Sequence, residues 1–221
     1  MHCAFNENVA GSGLVVGQCV FNNIENKKNR NGKLDKLISQ LEKEVKLNSA
    51  KFLDLESIHC YREFIRAHQS IIESQDIAPA ILVGLILNNG RLPTISRVVD
   101  AMNFISITMG VTISIWDQDK IKGDILYKLS QGVEKYWPFM GEEVVLMAGE
   151  LAAFDDEKVL CLVRYRDSKY APVNLETKNL VIHIQGVHGV KKALLEEALD
   201  QLALLLNETV GGNMTSKHLI F

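Results

Sequence analysis

The run VRYRDS, residues 163–168, sets Arg164, Arg166 and Asp167 within four positions of one another. A guanidinium presents a planar fork of donors, so two of them facing a cleft would hold a phosphate or a carboxylate. An exposed ion pair at a strand end is the alternative. Ser114, His183 and Asp117 have the residue types of a hydrolytic triad, but no nucleophile-elbow sequence surrounds Ser114. His183 lies inside the apolar run Leu180–Ile184, where it is either a hydrogen-bonded core histidine or a general base in contact with a ligand. Asp117 and Asp119 flank a turn and could cap backbone amides there; Thr177 and Asn179 belong to a second turn. Trp116, Tyr136 and Trp137 could stack on a base or line a core. Gly11, Gly13 and Gly17 precede or sit within a strand instead of opening a helix, which is not the dinucleotide-binding pattern. The histidines have no Cys-x-x-Cys or His-x-x-x-His partners, so no metal is indicated.

These residues must be held by an apolar framework. The chain has 221 residues, 47% hydrophobic and 23% charged, enough for one sizeable core and consistent with a single domain over residues 1–221. A net charge of −3 argues against a dedicated nucleic-acid binder, although Lys27, Lys28, Arg30, Lys33 and Lys36 make a local basic stretch. That stretch reads either as a solvated loop and helix face or as a binding patch. The longest apolar stretches, such as Ile77–Leu87 with its internal Pro79, are too short to span a bilayer. Met1–Ala10 has no basic residue followed by an apolar core, so no secretory signal is expected. Cys3, Cys19, Cys60 and Cys161 are scattered without pairing motifs, which fits a reducing compartment and a cytoplasmic protein.

The valine-rich run Gly13–Phe21 predicts a buried strand, followed by a polar, basic loop over Asn22–Gly32. Leu34, Leu37, Ile38, Leu41 and Val45 recur at helical spacing, and a second helix is expected over Glu56–Glu73, with Ile58, Tyr61, Ile65 and Ile72 inward. Ile77–Asn88 is apolar nearly all round and predicts a helix buried on most sides, stopped by Asn88-Asn89-Gly90. Thr94 is expected to cap the next helix, which runs towards Gly110. Short strands then follow at Val111–Trp116, Asp124–Leu129, Glu143–Met147, Val159–Tyr165 and Leu180–Gln185, and a helix covers Val190–Leu206. This order is that of an α+β domain: an N-terminal strand and helices, a block of short, mostly antiparallel strands, and a C-terminal helix.

The wording of RVVDAMN, Arg97–Asn103, resembles the signature of the B3/B4 editing domain of the phenylalanyl-tRNA synthetase β subunit. Gly110, WDQDKI at Trp116–Ile121, Gly123-Asp124-Ile125, Gly149-Glu150 and VNLETKNL at Val173–Leu180 follow in the family's order, and the Arg-Asp-Ser segment is similar to free-standing members. The resemblance is strongest over Arg91–Val187, between an N-terminal extension (1–76) and the C-terminal helix (190–206). It implies a layered B3/B4-like fold and a trans-editing deacylase that hydrolyses the ester joining a wrong amino acid to a tRNA 3′ end. No cofactor, metal or membrane is implied. By position, the family's conserved asparagine falls on Asn103, its histidine on Ser114 and its glutamate on His183, so two functional positions have changed identity. The resemblance makes Asn103, Ser114 and His183 the catalytic candidates. Thr112, Asp117, Arg164, Arg166 and Asp167 are the substrate-binding candidates.

An aminoacyl ester is already reactive, so such a site needs only a positioned water and support for the developing oxyanion. Two other readings stay open: a tRNA- or RNA-binding module without hydrolysis, and a protein that binds or hydrolyses an amino-acid derivative.

Overall fold

The computed structural model describes residues 1–68, 70, 76–163 and 165–220. The chain opens with strands β1 (Cys3–Phe5) and β2 (Val15–Asn22) and five helices: α1 (Gly32–Leu47), α2 (Ala50–Leu53), α3 (Glu56–Ala67), α4 (Ala78–Asn89) and α5 (Arg97–Met109). Seven strands follow: β3 (Thr112–Asp117), β4 (Ile125–Gln131), β5 (Lys135–Tyr136), β6 (Val144–Val145), β7 (Ala148–Phe154), β8 (Val159–Leu162) and β9 (Leu180–Gly186). Helix α6 (Lys192–Val210) and strand β10 (Asn213–Ile220) end the described chain.

The strands form two four-stranded sheets, ordered β1-β4-β7-β8 and β10-β2-β9-β3, with β5 and β6 as a separate hairpin. Every pairing is antiparallel except the short β1–β4 pair. The α+β reading of the sequence therefore holds. Alternation along β2 and β9 sorts the second sheet into two faces. One carries Gly17, Cys19, Ile182 and Ile184 and supports α6. A Cβ built on Gly17 would lie 2.7 Å from Leu199 of α6, and one on Gly186 would lie 2.6 Å from Leu195. Glycine at these two positions lets the helix rest directly on the sheet. Helix α5 packs along α6, with Val98, Ala101 and Ile105 buried.

Several boundaries differ from the sequence reading, for local reasons. Helix α5 begins at Arg97, and its cap is Ser96, whose Oγ accepts from the Val99 amide at 3.4 Å. Thr94 is exposed and outside the helix, because the Ile95 amide is held by Asp100 at 3.0 Å. Helix α4 is stopped at Gly90 (φ 76°), as expected, but Ile81 and Leu87 are exposed, so it is not buried on most sides. Helix α3 ends at Ala67, and the expected Ile72 lies outside the described residues. The last helix runs four residues further than expected, to Val210. Among the described residues, no helix is long and apolar enough to cross a membrane.

Candidate functional site

The second face of the second sheet carries a row of polar side chains at matching register. His218 of β10 lies opposite Gln18 of β2, Gln18 opposite His183 of β9, and His183 opposite Ser114 of β3. Gln185 and Trp116 extend the same face, two residues along each strand in opposite senses. Tyr127 of β4 and Cys161 of β8 reach this row from the other sheet.

Buried polar groups require partners, and here they supply one another. The Gln18 amide oxygen can only accept, so His183 Nε2–H donates to it at 2.8 Å. That fixes Nδ1 as the acceptor of the Tyr127 hydroxyl, at 2.9 Å. The Gln185 amide in turn donates to Tyr127 Oη at 3.1 Å, Ser114 Oγ at 3.3 Å and Cys161 Sγ at 3.2 Å, sharing two protons among three acceptors. Trp116 packs edge-on against the His183 ring, with centroids 4.9 Å apart. Burial, with a smaller contribution from His218, pushes His183 down to about 3, so its ring is neutral at physiological pH. Burial first, and Asp167 second, raise the Cys161 thiol to about 12, so it is a protonated partner and not a thiolate nucleophile.

Asp167 reaches this cluster on a segment that closes the gap between the sheets. After β8 the chain turns, and Asp167 pairs back opposite Cys161. It then crosses to β3, where the Asp117 amide donates to Ala171 O at 3.1 Å and Trp116 pairs with Pro172. The Asp167 carboxyl thereby comes against Ser114 Oγ, the Ile115 amide and the Trp116 indole. These donors favour the ionised form, yet burial outweighs them and raises the carboxyl to about 7. Asp167 Oδ1 and Trp116 Nε1 are both buried without a hydrogen-bond partner among the described residues. The indole donor and the carboxylate acceptor thus face each other without reaching ordinary hydrogen-bond geometry.

The other candidates are distributed differently. Thr112 Oγ1 donates to the Gln185 carbonyl at 3.1 Å, on the same face as Ser114. Asp117 is the clear correction. It lies on the opposite face of β3 from Ser114, and its carboxylate is taken by Thr177 Oγ1 at 2.8 Å, Lys120 at 3.0 Å and the Asp119 amide at 3.2 Å. With Asn179 donating to both Asp119 oxygens, it pins the 173–179 turn beside β3 and does not face the cluster. Asn103 is buried on α5, and no hydrogen bond among the described residues joins it to Ser114 or His183. Arg166 lies over the Tyr165 ring, 4.5 Å from its centroid, with no carboxylate paired to it among the described residues. Arg164 lies outside them. In the basic N-terminal stretch, Arg30 is held by Asp100 at 2.7 Å and Lys33 by Glu208 at 2.5 Å, which removes both from the set of free cations.

Sequence reasoning missed Gln18, Tyr127, Cys161 and Gln185. A signal for two of them was present: Gln18 in VVGQCVF and Gln185 in LVIHIQG put an uncharged polar residue at one alternate position of an otherwise apolar strand.

The chain matches the family model described as B3/4 domain over residues 60–211. It is 28% identical over 144 residues to the phenylalanine–tRNA ligase β subunit of Vibrio cholerae serotype O1, an alignment covering 55% of this chain and 18% of that protein. The β subunit from Yersinia pestis is 25% identical over 142 residues, covering 54% of this chain and 18% of the relative. The chain thus spans less than a fifth of the length of these relatives. A crystal structure of an N-terminal fragment of the phenylalanyl-tRNA synthetase β subunit from Pyrococcus horikoshii aligns with a TM-score of 0.48 at 18% identity, covering 99% of this chain and 50% of that one. With its model matched over most of the length, from helix α3 to the end of α6, this chain belongs to the B3/4 domain family.

Proposed function

We propose that the protein is a free-standing aminoacyl-ester hydrolase that removes wrong amino acids from the 3′ end of tRNA. The observation that carries this reading is the approach of the Asp167 carboxyl to Ser114, at the end of the buried polar row. A carboxyl raised to about 7 is matched to taking a proton from water at neutral pH. Asp167 is therefore the base that activates the attacking water. Ser114 Oγ holds that water against it. His183 is a positioning residue: both its nitrogens are occupied, and it acts through Tyr127 and Gln185 to fix Ser114. Arg166, free of carboxylates among the described residues, supplies charge for the phosphates of the tRNA end. The family membership and the similarity to tRNA ligase β subunits support this choice of substrate class.

The test is deacylation of a panel of mischarged tRNAs, with the uncatalysed rate subtracted. The wild type should accelerate loss of at least one amino acid, with a rate that falls about tenfold per pH unit below about 7 and levels off above it. Asp167→Asn should lose about two to four orders of magnitude. No acceleration with any member of the panel removes the enzyme reading.

One observation favours a second reading, a binding module without turnover. By the resemblance, the positions of the family's histidine and glutamate carry Ser114 and a neutral, fully enclosed His183. Tight, salt-sensitive tRNA binding with no hydrolysis would select it.

A further inference from the structure

The hairpin β5–β6 and the loop it carries do not join the core as the rest of the chain does. Tyr136 is fully buried, but Trp137, Phe139 and Met140 follow it with 40%, 56% and 66% of their surface exposed. Val133, Val145 and Met147 add exposed apolar surface on the same hairpin. Three large apolar side chains in four consecutive positions, two of them aromatic, form a patch of the kind that marks an interaction surface. Of the three aromatics weighed as base-stacking candidates, Trp116 and Tyr136 are fully buried, and only Trp137 can meet a ligand with its ring.

The position of this flap is informative. It runs antiparallel to the segment that carries Asp167: Pro138 pairs with Ser168, the Phe139 amide donates to Asp167 O at 2.9 Å, and the Lys169 amide donates to Trp137 O at 2.9 Å. Tyr136 Oη donates to Arg166 O at 2.5 Å. The flap is therefore the direct backbone neighbour of the proposed base. Cations accompany it. Lys169 Nζ lies 4.5 Å from the Trp137 ring centroid, and Arg166 is one residue from Asp167. The nearby acids are partly engaged: Glu143 pairs with Lys135 at 3.2 Å, and Glu134 turns in on the Gln131 and Val133 amides, leaving Glu142.

Aromatic faces interleaved with Lys and Arg are what unpaired nucleotides need: rings for the bases and cations for the phosphates. We infer that the Trp137–Met140 flap is a stacking platform for the unpaired 3′-terminal nucleotides of an RNA, presenting the terminal ester to Asp167. The inference deepens the proposed function and rests on it for the identity of the ligand. It adds residues that belong to none of the motifs that carried the resemblance, and it makes recognition depend on stacking instead of on the overall acidic surface.

The experiment is equilibrium binding of the full chain, followed by polarisation of a labelled single-stranded RNA ending in C-C-A, with a blunt RNA duplex as control. The single strand should bind more tightly than the duplex. Trp137→Ala and Phe139→Ala should each weaken binding about tenfold, and Trp137→Phe, which keeps a ring, much less. Lys169→Gln should lower the affinity and reduce the salt dependence by about one phosphate contact. Thermal melts of the same variants verify folding, and the Trp137→Phe comparison keeps the outcome interpretable if the alanine variant is unstable. Equal affinity of wild type, Trp137→Ala and Phe139→Ala overturns the inference. So does equal binding of the duplex, or a wild-type dimer that becomes monomeric in Trp137→Ala while no RNA binds. Binding is read without turnover, so the two proposals fail separately. RNA binding lost in flap variants supports the platform even if no ester is cleaved; hydrolysis whose KM ignores the flap variants overturns the platform alone.

Discussion

At the scale of single residues, Asp167 and His183 act on stability in opposite directions. Asp167 holds its proton in the folded chain up to about pH 7, whereas an unfolded aspartate loses it near 4. The folded state then binds more protons, so this contribution is present below about pH 4 and is lost as pH rises to about 7. His183 is the reverse. It is held neutral down to about pH 3 while an unfolded histidine protonates near 6.5, so its contribution is present above about 6.5 and disappears on acidification. Between about pH 4 and 6.5 the two slopes oppose each other. In Asp167→Asn only the histidine slope remains, and urea melts should show this variant losing stability with acid more steeply than the wild type. A parallel pH dependence in the two proteins would contradict the raised Asp167. At this scale the sequence displayed the members of the site unevenly. Ser114 and His183 stood out through the family wording, whereas Gln18 meets His183 across a separation of 165 residues, and nothing local marks such a pair.

At the scale of elements, caps and strand edges decide what can be read from sequence. The longer helices were legible from an apolar period or, for α4, from an apolar run stopped at Gly90, whereas the four-residue α2 was not. Four strands were not, among them β5 with only two residues. β1 has three residues, too few for alternation to register. β7, AGELAAF, lacks β-branched residues and is a strand because the two neighbours flanking it bury it. β10, NMTSKHLI, lies at an edge and is largely exposed, so its pattern is polar. The start of α5 gives a direct check on capping. Ser96→Ala should cost about 1 kcal/mol in denaturant unfolding, because the Val99 amide loses its acceptor. Thr94→Ala, at an exposed position outside the helix, should stay within about 0.5 kcal/mol of the wild type.

At the scale of the whole molecule, long-range polar contacts tie the layers together. Arg30 reaches from the loop after β2 to Asp100 on α5 at 2.7 Å and to the Pro93 carbonyl at 3.0 Å. The Asp100 side chain is fully buried and that of Arg30 nearly so. Removing one member of such a pair leaves a charge without its partner, so Arg30→Met should destabilise the fold by about 3–5 kcal/mol, measured by chemical denaturation. The basic stretch that looked like a nucleic-acid patch in the sequence thus contributes its arginine to the core. The α+β order was readable from the succession of helical and alternating patterns. How two sheets meet around a polar row was not, because register between strands 73 to 200 residues apart leaves no mark in either strand alone.

The outermost position of β10 has a consequence for anyone shortening or extending the chain. Its backbone occupies the free side of β2, a strand buried through six of its eight positions. A product trimmed before Asn213 would present that apolar ribbon, with its unpaired amides and carbonyls, to solvent, and such an edge recruits a strand from another molecule. Light scattering of the trimmed and intact proteins at matched concentration should show growing particles only for the trimmed one.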